Sequence, residues 1–168
     1  MNDAALEEML KQCSLHSLLM LTSKVLSRSG FGDVQLLDRR QSKQKSRYGG
    51  HELLCESSMG MFPTRIIVKV IQDSVRLRML DELAGSVRRT NADMGIIVSP
   101  HHLTANAQRH ITSYAPMRIE AIAGRTLSEL LSTYHIGVRS RGDVDYAFFG
   151  NLEAASLRLL SFLKINAI

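Results

Sequence analysis

The sequence predicts an α/β fold with a mixed central sheet flanked by helices, on three observations. From Arg65 onward, strand-like and helix-like segments alternate three times, the rhythm of parallel strands joined by crossover helices. The run Arg65-Ile66-Ile67-Val68-Lys69-Val70-Ile71 is β-branched and almost wholly apolar, as in a strand covered on both faces. Directly after it, Val75, Met79, Leu83 and Val87 recur at a spacing of four, the mark of an amphipathic helix.

Each element follows from local pattern. Leu6, Met9 and Leu10 predict a first helix. Ser14 stands as N-cap to a second, which carries Leu15, Leu18, Leu19, Leu21, Val25 and Leu26 and stops at Gly30. Asp33 to Leu37 and His51 to Glu56 read as strands, antiparallel because their connections are short and polar. The buried strand and the helix from Val75 to Arg89 come next, then a strand over Met94 to Val98. Thr104 caps a helix reaching Tyr114, and Met117 to Ala123 is strand again. Thr126-Leu127-Ser128-Glu129 has the form of a capping box. An edge strand is expected over Asp143 to Phe149, and Asn151 is expected to cap a last helix.

A chain of 168 residues, 45% of them hydrophobic, is long enough for one packed domain, so residues 1–168 are read as a single domain. It divides into a core over 15–150 and a C-terminal helix over 151–168. The absence of a long apolar run excludes a membrane-spanning helix, and no leader pattern opens the chain. The expectation is therefore a cytoplasmic protein with no membrane partner. Cys13 and Cys55 are too few for a disulfide scaffold or a CxxC metal site. A 5% aromatic content without Trp argues against base stacking, whereas the net charge of +5 suits phosphate contacts.

Few motifs carry chemistry by themselves. Gly30-Phe31-Gly32 precedes a strand, on the wrong side for a dinucleotide fingerprint, and no Walker A sequence exists. His101-His102 follows a buried strand but lacks a neighbouring Cys or carboxylate, which favours a polar turn over a metal site. The densest charge feature is Arg39, Arg40, Lys43, Lys45 and Arg47, with no acid among them.

A set of ordered pieces is more telling. Ser29-Gly30-Phe31, Gly49-Gly50-His51-Glu52, Ile67-Val68-Lys69 and Glu82-Leu83-Ala84-Gly85 are followed by Ala92-Asp93-Met94-Gly95-Ile96-Ile97-Val98-Ser99. Ala123-Gly124-Arg125-Thr126-Leu127-Ser128-Glu129-Leu130-Leu131 and Tyr134-His135-Ile136-Gly137-Val138 complete them. In order and spacing they resemble the Mrr-type restriction endonuclease domain, a branch of the PD-(D/E)xK nucleases, over roughly residues 15 to 150. The late pieces are the more specific.

The resemblance implies a restriction-endonuclease-like core and a site where two acceptors hold Mg²⁺ beside a phosphodiester. In that family one carboxylate comes from a Gly-Gly-x-Asp turn and a second acceptor from a Glu/Gln-x-Lys strand, whose Lys orients water and neutralises charge. Glu52 falls on the first carboxylate, as metal ligand and catalytic acid, and Lys69 on the catalytic lysine. Ile67 occupies the second acceptor position, where an alkyl group cannot ligate a metal. Leu19 aligns where family members carry a Glu in the first helix.

The sequence reading is therefore a DNA-binding protein with an eroded metal site, Mg²⁺ held weakly, and weak or no cleavage. Arg39, Arg40, Lys43, Lys45 and Arg47 are its candidate phosphate contacts; the bland alternative is a solvated loop. Lys69 and Glu52 read equally as a structural ion pair, and Glu56 or His51 as auxiliary ligands. One rival is an active Mg²⁺-dependent endonuclease in which Glu52 and a displaced carboxylate suffice. Another is a pseudo-nuclease assembly module docking through Leu157, Leu160, Phe162 and Leu163. A homodimer or a protein partner fits the resemblance as well.

Overall fold

The computed structural model describes residues 3–37, 49–57, 62–140 and 142–165, with side chains described from Ala4 to Arg158. The stretch that carries Arg39, Arg40, Lys43, Lys45 and Arg47 lies outside the described residues.

Five strands form one sheet in the order β1 (Asp33–Leu36), β2 (His51–Ser57), β3 (Thr64–Val70), β4 (Met94–Ser99) and β5 (Arg118–Ala123). The first two junctions are antiparallel and the last two parallel, so the sheet is mixed, as the alternation of segments requires. The helices are α1 (Asp3–Gln12), α2 (Leu15–Arg28), α3 (Leu77–Thr90), α4 (Ala105–His110), α5 (Arg125–Thr133) and α6 (Tyr146–Ile165), with a 3-10 turn at Ile111–Tyr114.

Strand alternation assigns the two faces of the sheet. Leu53 and Cys55 of β2 and Ile66, Val68 and Val70 of β3 join residues of α1, α2, α5 and α6 in one apolar cluster. Ile67 and Ile71 face the other way, against Met79, Leu80, Leu83 and Val87 of α3, together with Ile97 and Ala107. The β3 strand is thus covered on both sides, which explains its unbroken apolar run. Helix α3 lies very close to the sheet, because a Cβ on Gly95 would stand within 3.0 Å of Leu83, Val87 and Ile119 side-chain atoms. That approach brings the polar margin of α3 within reach of β2 and β3.

Local chemistry accounts for most boundaries. Ser14 accepts from the Ser17 N–H and Thr104 from the Ala107 N–H, as N-caps should. Four expectations need correction. Val75 does not open α3: it bridges to Leu103 in a parallel pair, and the helix begins at Leu77. The Thr126–Glu129 capping box does not form, because the chain turns tightly at Gly124 (φ 54°) and is helical from Arg125, leaving Glu129 to pair with Arg125. Asp143 to Phe149 is not an edge strand. Only Val144 bridges, to Val138, and α6 starts at Tyr146, with Asp145 accepting from the Phe148 N–H in the place expected of Asn151.

Both cysteines are free and buried. Burial pushes each thiol up to about 12, with Glu153 adding to the effect at Cys13 and Asp33 at Cys55. The folded protein at pH 8 is expected to react with a thiol reagent at under about a tenth of the unfolded rate, because the thiolate is the nucleophile. Two thiols should appear on adding denaturant. The same shift makes stability fall as pH rises above 9, where only the unfolded chain releases these protons. Rapid labelling of the native protein would contradict this.

Candidate active site

The register of the β2–β3 pair sets Glu52 directly opposite Lys69. Both side chains emerge on the face covered by α3. The Lys69 ammonium has no solvent exposure and stands 3.6 Å from Glu52 Oε1, whose side chain is 23% exposed. An ammonium held at such depth requires charged partners, since an isolated buried charge would lose its proton.

Helix α3 supplies the rest. Glu82 places Oε2 2.5 Å from the same nitrogen and keeps 26% of its side chain exposed. One turn on, the Ser86 hydroxyl lies 2.9 and 3.0 Å from the two Glu52 oxygens and donates to that carboxylate. Arg89 Nη2 then donates to Ser86 Oγ at 2.9 Å. Residues 82, 86 and 89 share one side of the helix by their spacing, so a single element orients both the amine and its strand-borne acid.

The other candidates separate from this cluster. Ile67 is fully buried among apolar side chains and offers no ligand, as its chemistry requires. Leu19 is likewise a core residue. Glu56 shares the face of Glu52 but sits at the far end of β2, paired with Arg65 at 2.7 Å. His51 projects to the opposite face, its ring edge-on to His16 with centroids 5.2 Å apart. His101 and His102 form part of the turn after β4, where the His101 N–H donates to Ser99 Oγ. Among the described residues, no three His, Cys, Asp or Glu side chains converge as a ready metal cage.

The donor chemistry nevertheless suits a hard divalent ion. Two carboxylates border the buried amine, all-oxygen ligands are what Mg²⁺ prefers, and such sites take one or two protein carboxylates plus phosphate oxygens. Glu52 and Glu82 are the residues that would hold it. The sequence marks Glu82 only as the start of the Glu82-Leu83-Ala84-Gly85 piece and gives no sign that it meets Lys69.

A mixed sheet with helices on both faces and an acid–amine pair across its two central antiparallel strands defines an α/β protein with a restriction-endonuclease-like core. The chain belongs to the Mrr_cat restriction endonuclease family, whose model matches residues 10–131. Two solved structures share the fold. One is the MspJI restriction endonuclease in complex with a 27-mer oligonucleotide, with a TM-score of 0.54 and 20% identity over 92% of this chain and 34% of that one. The other is the DNA modification-dependent restriction endonuclease AspBHI, with a TM-score of 0.60 and 16% identity over 91% and 40%. The chain therefore spans between a third and two fifths of the length of those enzymes. No curated protein matches it. Among the described residues, no helix is long and apolar enough to cross a membrane.

Proposed function

We propose that this domain binds DNA through its phosphate backbone and sets the Glu52–Lys69 pair against a phosphodiester. The observation that carries the reading is the shared face of that acid and amine, opposite each other across β2 and β3, in a chain whose family model matches residues 10–131. In this reading Glu52 is the metal ligand and Lys69 the group that orients water and neutralises charge on the phosphorus oxygens. A divalent ion, when bound, supplies Lewis-acid polarisation of the phosphate. The strand positions alone offer one carboxylate, so hydrolysis through them alone is weak or absent.

Chain connectivity supports a role for the basic stretch. The Leu37 N–H donates to the Glu52 carbonyl at 3.0 Å, and Gly49 leads back into β2. Leu37 and Gly49, the described residues that flank the stretch bearing Arg39, Arg40, Lys43, Lys45 and Arg47, therefore both stand at the Glu52 end of β2. Contacts from these side chains would position the backbone without reading sequence. A cytoplasmic location accords with this reading.

The test is a duplex retardation assay titrated with salt, run in EDTA. Wild-type affinity should fall steeply as salt rises, and replacing all five basic residues by Gln should reduce the log–log slope by up to about 4.5, near 0.9 per phosphate contact. Retardation with identical slopes would take these five residues out of the contact and leave DNA binding standing. Retardation absent even at low salt, with wild type and variant behaving alike, would remove the DNA reading. Such a result would favour an assembly module, for which Leu157, 65% exposed on α6, is the described apolar candidate.

A further inference from the structure

The loss of the strand acceptor at Ile67 does not leave Glu52 as the sole acid of the site. Glu82 comes from a different element, thirteen positions after Lys69, and meets the same ammonium from the helix side. The two carboxylates are each about a quarter exposed, whereas the amine between them is sealed from solvent. The ammonium is thus the deepest of the three groups, and the two acids are the ones that reach solvent.

We propose that Glu82 has taken over the second metal-ligand position that Ile67 vacates, so that Glu52 and Glu82 together hold Mg²⁺ or Mn²⁺ when DNA phosphate oxygens complete the shell. This rests on the reading of the site as one that faces DNA. Three features support it. Glu82 sits on a helix fixed by Leu80, Leu83 and Val87, which are 0%, 0% and 3% exposed, so its backbone position is as well defined as that of a strand residue. Ser86, on the same side of that helix, donates to Glu52 and presets the orientation of the strand carboxylate, a positioning role. The set is made of oxygen donors only, matched to a hard ion that takes one or two carboxylates plus phosphate.

Mn²⁺ binding, followed by electron paramagnetic resonance with and without a phosphorothioate duplex, tests the assignment without relying on cleavage. Glu82→Gln should weaken Mn²⁺ binding at least about tenfold, as should Glu52→Gln. Glu82→Asp, which keeps the carboxylate, should retain most of it. Thermal unfolding of each variant establishes that it is folded under the conditions used; a Glu82→Gln protein that fails to fold leaves the decision to the Asp variant and to Ser86→Ala, which should weaken Mn²⁺ binding by several-fold. Mn²⁺ bound equally by wild type and Glu82→Gln would make Glu82 a counterion of Lys69 only, and wild type that binds no Mn²⁺ in either condition would overturn the site altogether. Wild-type protein that binds Mn²⁺ but never shifts a duplex would instead strike the DNA reading and leave the ligand assignment standing.

Discussion

Lys69→Met is expected to lower the free energy of unfolding by about 3 kcal/mol and to eliminate any Mg²⁺-dependent nicking of supercoiled plasmid. Methionine fills a similar volume, so the loss comes from charge rather than from a cavity. The ammonium is fully buried between Glu52 and Glu82, and its removal leaves two facing carboxylates without their shared cation. Removing one partner of a buried ion pair typically costs about 3–5 kcal/mol. The low end applies because both acids are partly exposed and water can screen them. In urea the midpoint should fall with an unchanged slope. Adding Glu82→Gln to Lys69→Met should recover about half of the loss, since one carboxylate then remains, and the two substitutions should be clearly non-additive, as contacting residues are. Additive losses, or a Lys69→Met protein as stable as wild type, would show that the ammonium is not held by these acids. Nicking that persists in the variant would deny Lys69 a part in hydrolysis.

The sequence made this pairing readable only in part. Periodicity was sufficient for β2 and β3, because β3 is almost wholly apolar and β2 alternates, though the strand expected over Asp143 to Phe149 failed. The resemblance then placed Glu52 and Lys69 in one site, and the observed register puts them opposite each other. The contact between Glu82 and Lys69 was harder to see, since it depends on how closely α3 lies on the sheet, an approach that the missing side chain at Gly95 permits. A signal did exist. Glu82 and Ser86 each precede a member of the apolar stripe Val75, Met79, Leu83, Val87 by one residue, so they line its margin. Polar groups at the margin of a buried face lie against the neighbouring strand, where a strand lysine can find them.

The boundary errors have equally local causes. A T-x-x-E pattern specifies a capping box only if the Thr stands outside the helix, and the sharp turn at Gly124 puts Thr126 inside it. Asp145 and Asn151 both have side chains suited to capping. Asp145 prevails because the chain has just bridged Val144 to Val138 and turns there. In both cases tertiary geometry chose between local signals of similar strength.

Gly50→Ala should cost about 3 kcal/mol and also weaken whatever depends on Glu52, whereas Gly49→Ala should cost only about 1 kcal/mol. Both glycines have positive φ, 76° at Gly49 and 87° at Gly50, a region that costs an L-residue roughly 1–2 kcal/mol. Their surroundings differ. A Cβ at Gly49 would meet nothing within 4 Å, but one at Gly50 would stand 2.6 Å from the Val70 carbonyl oxygen and 2.8 Å from Ile71 Cγ2. The oxygen belongs to backbone in the sheet, so the start of β2 must yield. That movement passes to Glu52, two residues on, whose carboxylate accepts from Ser86 and faces the Lys69 ammonium. The pair of substitutions therefore separates the intrinsic cost of the turn from the cost of shifting the strand. Denaturant midpoints report the first at Gly49 and the sum of the two at Gly50. The Mn²⁺ affinity of the folded fraction reports the second, and it should fall several-fold in Gly50→Ala while Gly49→Ala stays near wild type. Equal effects at the two positions would mean that the tight packing against Val70 does not fix where Glu52 stands.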